Sequence, residues 1–180
     1  MSSSSLILDK VATALTATPV EAEETLFLAL EKAKRIFITG AGRSGLVARF
    51  FAMRLLHCGY TVHVVGEITA PSIQAGDLFI VISGSGETET MLPLVAKAKK
   101  QLANIALVSM KSVSSMAALA DTVVAVASNN PQAFDKTPQM PMGSIFELSS
   151  LLFLEAVIAK VIAHKQLSEE QMRAIHANLE

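Results

Sequence analysis

The chain has 180 residues, with 15 Lys and Arg against 16 Asp and Glu and a net charge of −1. That length predicts one domain around one core, and the charge balance leaves no basic face for nucleic acid. The one cysteine, Cys58, excludes an internal disulfide. Apolar residues make up 51% of the chain and mean hydropathy is +0.46, above the usual globular share of about 45–50%. The surplus has to be buried, and an oligomer interface is the readiest place. The start Met1-Ser2-Ser3-Ser4-Ser5 has no signal-peptide apolar region. The most apolar stretch, Leu148 to Ala163, is broken by Glu155 and Lys160 and makes a poor membrane span. A cytoplasmic protein is expected.

In chain order, residues 2–5 read as a frayed terminus, followed by helices over Leu6 to Ala17 and Val20 to Lys34. Arg35 to Thr39 is a short buried strand that feeds the glycine loop Gly40-Ala41-Gly42-Arg43-Ser44-Gly45. A helix from about Ser44 to His57 comes next, with Gly59 as its stop. Strands are expected over Thr61 to Val65, Asp77 to Ile82, Asn104 to Ser109 and Thr122 to Ala127, and helices over Glu89 to Leu102 and Val113 to Ala120. Ser128 to Gly143 carries three prolines and reads as irregular. A long helix from about Ser144 to Lys165 and a charged helix from Ser168 close the chain.

Strands alternating with helices imply an α/β fold with a parallel sheet covered on both faces. The strands are apolar without alternation, as burial on both faces requires. Ligands of such sheets sit outside the carboxyl ends of the strands, where the strand order reverses. With the order 2-1-3-4-5, the first and third strands meet there.

Each of those two strands ends in a glycine loop. The second, Ser83-Gly84-Ser85-Gly86-Glu87-Thr88, combines glycines that admit a ligand to the backbone with hydroxyl donors and a following helix start, a place to hold phosphate. The first loop matches G-x-G-x-x-G, with Glu67 about twenty residues on, so a dinucleotide site is a serious rival. That reading leaves the second loop unexplained. Two loops fit a sugar phosphate better, one cradling phosphate and the other the hydroxyls. Two tight turns with capping serines account for one loop and poorly for both.

Pro141-Met142-Gly143-Ser144-Ile145-Phe146-Glu147 opens the long helix. Ser144 and Glu147 fit a capping box, and Glu147 equally fits a proton-transfer base at the edge of the crevice. Glu155 reads as a structural or interface charge, and His57 as a helix C-terminal cap. His176, near the terminus, reads on its own as a solvated helix residue. No histidine pair has metal-ligand spacing and the cysteine is isolated, so no metal site is expected.

Gly42-Arg43-Ser44-Gly45, Phe51-Ala52-Met53-Arg54-Leu55, Val65-Gly66-Glu67, Ser83-Gly84-Ser85-Gly86 with Thr88, and Pro141-Met142-Gly143 with Phe146-Glu147 together resemble the 3-hexulose-6-phosphate isomerases. These are small stand-alone members of the sugar isomerase (SIS) domain family. The resemblance implies a three-layer, flavodoxin-like α/β/α sandwich with a five-stranded parallel sheet. Residues 1–34 would form N-terminal helices, 35–127 the core and 144–180 C-terminal helices of a single domain. It implies conversion of D-arabino-hex-3-ulose 6-phosphate to fructose 6-phosphate, the second step of formaldehyde fixation in the ribulose monophosphate pathway. A homotetramer, no metal and no organic cofactor are also implied. The family pattern puts substrate and phosphate on Gly42, Arg43, Ser44 and Ser83, Gly84, Ser85, Gly86, Glu87 and Thr88. It puts the base at Glu147 and a histidine at His176 that reaches a neighbouring subunit's site. The family often has arginine before that histidine, where this chain has Ile175.

Overall fold

A computed structural model of the chain describes residues 2–127, 140, 142 and 144–179. Most of the segment expected to be irregular, Ser128 to Gly143, lies outside the described residues. So do Pro141 and Gly143 of the motif before the long helix.

Five parallel strands form one sheet in the order β2-β1-β3-β4-β5: β1 (Ile36–Gly40), β2 (Val62–Val64), β3 (Leu78–Ile82), β4 (Asn104–Ser109) and β5 (Thr122–Ala125). In β1 and β3 the residues pair in register from Ile36 with Leu78 to Gly40 with Ile82. Both glycine loops therefore leave the sheet side by side from its carboxyl end.

Alternate residues of these strands feed two cores. Ile36, Ile38, Leu78, Ile80 and Ile82 face α2 (Ala22–Lys32), α3 (Arg43–His57) and α5 (Ser144–Lys165), where Leu26, Leu30, Phe51, Leu55, Phe153 and Val157 are buried. Phe37, Phe79, Val81, Ile105 and Leu107 face Val95 and Ala98 of α4 (Leu92–Lys100) and Met116 on the opposite side. Each fully buried Leu, Ile or Phe adds about 1.5–3 kcal/mol, and the two faces make the three-layer sandwich. A third cluster ties α1 (Ser3–Thr16) to the start of α5 through Val11, Ala14, Met140 and Ile145.

Three expectations need correction. The N-terminal serines do not fray: Ser2 caps α1 by accepting from Ser5 N–H, so the helix begins at Ser3. Residues 113–120 form turns rather than a helix, because Met116 N–H goes to Gly86 O at 3.1 Å and Ser115 N–H to the Glu87 carboxylate at 2.8 Å. Those donors are spent on the second glycine loop. Finally, α4 starts at Leu92, not Glu89, because the Thr88 carbonyl takes both Met91 N–H and Leu92 N–H in a preceding turn. Pro93 then fits the first helical turn, where its missing N–H costs nothing.

Candidate active site

The first loop is built by close backbone approach. A Cβ on Gly40 would lie 2.8 Å from the Ser44 backbone, and one on Gly45 would lie 2.7 Å from Gly40 O. Only glycine lets β1 run so directly into α3. Gly42 caps the helix at φ 56°, ψ −130°, a conformation open to glycine and strained for other residues. Nothing lies within 4 Å of where its Cβ would be, so there is open space above it. Ser44 is in the first turn of α3, at the positive end of a 15-residue helix.

In the second loop the buried Ser83 hydroxyl accepts from Gly86 N–H at 3.2 Å and lies 3.0 Å from the Thr88 hydroxyl. Ser85 Oγ accepts from Glu87 N–H at 3.1 Å. Gly86 has φ 65°, and a Cβ there would stand 2.1 Å from Ser114 Oγ. Ser109 Oγ donates to Gly84 O at 3.2 Å. Ser109 thus holds the loop from outside its sequence, and Ser114 packs against Gly86, roles no local motif announces.

The two loops converge on the start of α5. Gly84 packs so closely on Phe146 that a Cβ would be 3.1 Å from its ring and from Met110 Cε. From the other side, Arg43 reaches α5 with Nε 2.9 Å from Glu147 Oε2 and with Nη1 donating to Ser144 Oγ at 3.0 Å. Ser144 is itself the first residue of α5, and Arg43 reaches both it and Glu147, a partner that the local spacing does not announce. The Glu147 side chain is 13% exposed. Its Oε2 is buried, and the Arg43 contact is an ion pair off the hydrogen-bond direction, so that oxygen has no hydrogen-bond partner among the described residues. Burial pushes the Glu147 carboxyl above its ordinary value, and the Arg43 charge opposes that. Glu87 goes the other way, below its ordinary value, because Ser115 donates to it.

His176 is not brought to this crevice within one chain. It follows α6 (Glu169–Ala174) and stacks on His57, ring centroids 5.0 Å apart and 21° between planes, at the C-terminal end of α3. Fifteen helical residues separate the ends by about 21 Å. Around the stacked pair a cavity of about 960 Å³ opens between Phe50, Met53, Leu167 and Met172. A cavity of about 500 Å³ lies between the β2–β3 connection and α4; both are away from the strand-end crevice. Glu67, the acid of the dinucleotide pattern, is paired with Arg49 at 2.7 Å on the surface, and Glu155 with Arg54 at 3.2 Å. Among the described residues, no group of three or more His, Cys, Asp and Glu could hold a metal ion, and no helix is long and apolar enough to cross a membrane.

A parallel α/β/α sandwich with two glycine loops at its strand-order reversal defines an α/β domain of the class that takes its ligand beyond the carboxyl ends of the strands. The SIS domain family model matches residues 29–148. Over 175 residues, 97% of each chain, the sequence is 59% identical to the 3-hexulose-6-phosphate isomerase of Methylomonas aminofaciens. It is 45% identical to that of Bacillus subtilis over 81% of this chain and 80% of that one. A Methanococcus jannaschii protein, whose 2.0 Å crystal structure was taken to infer a 3-hexulose-6-phosphate isomerase, superposes with TM-score 0.85 at 36% identity, covering 96% of this chain and 98% of that one. The chain belongs to the SIS domain family, and within it to the group of the 3-hexulose-6-phosphate isomerases.

Proposed function

We propose that the chain isomerises D-arabino-hex-3-ulose 6-phosphate to fructose 6-phosphate, as the names of its relatives suggest, with Glu147 as the base. The observation that carries this reading is the Glu147 carboxylate at the meeting of both loops. Moving a carbonyl from C3 to C2 takes a proton from C2 and returns it at C3 through an enediolate. One carboxylate on one face of the sugar performs both transfers, and a raised carboxyl pKa brings it nearer the working pH. The α3 N-terminus with Gly42 and Ser44, and the hydroxyl-rich 83–88 loop, bind phosphate and sugar hydroxyls. The reaction serves formaldehyde fixation by the ribulose monophosphate pathway, and it needs no metal or organic cofactor.

The working form is a homo-oligomer, a tetramer in this reading. Supporting it is a stripe on the outer face of α3: Leu46, Phe50, Met53 and Leu56 are 67%, 43%, 50% and 43% exposed, an apolar surface that calls for a partner. Packing α3 antiparallel on its copy sets the C-terminal end of one helix against the N-terminal end of the other. His176 of one subunit then approaches the crevice of the next, where it shuttles the oxygen-bound proton. A coupled assay reading fructose 6-phosphate formed from the 3-hexulose phosphate, without added cofactor, tests the reaction. Turnover at background level overturns it.

A further inference from the structure

Arg43 stands in the loop that the family pattern gives to substrate, yet both of its resolved contacts are to α5. Nε is 2.9 Å from Glu147 Oε2 and Nη1 donates to Ser144 Oγ at 3.0 Å. A guanidinium is a flat fork whose donors point in fixed directions, and this one spans two residues one helical turn apart. We propose that Arg43 is a positioning residue for the base rather than a phosphate ligand: it claims Oε2 of Glu147 and leaves Oε1 as the oxygen that moves the proton. The inference rests on Glu147 being the base.

Three features support the assignment. Oε2 is buried and has no hydrogen-bond partner among the described residues, so the Arg43 charge offsets what burial costs the ionised carboxylate. The opposed effects of burial and Arg43 on the carboxyl agree with that. The other charged groups along α5 are occupied elsewhere. From α3, Arg54 meets Glu155. From α2, Glu24 meets Lys160, and Glu31 meets Lys165 and His164. In the second loop Glu87 accepts from Ser115 N–H. Among the described residues, Arg43 is the cation that acts on the Glu147 carboxyl.

The test uses the full-length Arg43→Met and Arg43→Lys variants, with the Glu147 carboxyl followed by ¹³C NMR titration and identified by its loss in Glu147→Gln. In Arg43→Met the titration midpoint and the acid limb of kcat/KM should rise together, because the charge that opposes the effect of burial is gone. kcat should fall while KM changes little. In Arg43→Lys the midpoint should return toward that of the parent protein with kcat still reduced, since one ammonium cannot span both partners. An unmoved midpoint in Arg43→Met overturns the proposal, and a raised KM beside it makes Arg43 a phosphate ligand. Absence of isomerase activity in the parent protein would overturn the proposed function instead, with the midpoint still deciding the Arg43–Glu147 pair.

Discussion

The two ends of α3 have opposite chemistry. At the N-terminal end, glycine backbone, Ser44 and the Arg43–Glu147 pair surround open space above Gly42. At the C-terminal end, Phe50, Met53, Met172 and the stacked His57 and His176 surround a largely apolar cavity. The helix dipole suits both, an anion at one end and imidazoles at the other. The difference teaches that the two ends of one helix can carry unlike surfaces, which the proposed function assigns to substrate and to association, with the exposed stripe between them. In the reading proposed above, His176 and Glu147 stand at opposite ends of a helix about 21 Å long and would meet only between subunits.

The strongest way to break this comparison is at the N-terminal end. Glu147→Gln should lower kcat by about 10²–10⁴-fold while sugar-phosphate binding, read by calorimetry, survives. Near-normal turnover would leave the crevice without a base. At the apolar stripe, Phe50→Asp combined with Met53→Asp puts charge where a second copy is expected. Sedimentation should show dissociation to monomer, and activity should fall at least about tenfold, about 1.4 kcal/mol of barrier. An unchanged sedimentation coefficient would mean that the stripe is not the interface.

How much of this could be read from the sequence depends on the range of the forces involved. β1, β3 and β4 are continuous apolar runs, and they were legible because burial on both faces leaves no other pattern. The strand order entered only as a condition, under which both glycine loops face one crevice, and it is the order observed. The turns at 113–120 were not legible: helix propensity there loses to Gly86 and Glu87, more than 25 residues away. The same holds for Arg43, whose partners lie 101 and 104 residues on, at Ser144 and Glu147. The spacing of Ser144 and Glu147 reports a local pair, and spacing alone cannot show a third side chain arriving from another element. In α1, the Ser2 hydroxyl is enough to start a helix in a serine run whose composition reads as frayed.

At the C-terminal end of α3 the test is finer. His176→Ala should slow turnover by about tenfold at most, again about 1.4 kcal/mol, with the acid limb set by Glu147 unmoved. Mixing Glu147→Gln subunits with His176→Ala subunits then separates the two geometries. If His176 serves a neighbour's crevice, the mixed oligomers contain sites with both native residues, and activity per His176→Ala subunit rises on mixing. No rise would confine His176 to its own chain, where its place is structural.

The smallest effect is expected at Ser168. Its hydroxyl accepts from Gln171 N–H at 3.2 Å while Gln171 Oε1 accepts from Ser168 N–H at 2.8 Å, a closed capping box on the six-residue α6. So short a helix cannot persist by propensity. It is held by this box and by Leu167 and Met172 packing on the core. Ser168→Ala should cost about 1 kcal/mol, seen as a small drop in the denaturation midpoint. Because α6 carries the chain to His176, fraying it loosens the stack on His57 without touching Glu147. The expected result is a fall in kcat of under about twofold, within 0.4 kcal/mol, with no movement of the acid limb. A larger loss of rate than His176→Ala itself produces would mean that α6 supports the crevice through something other than that histidine.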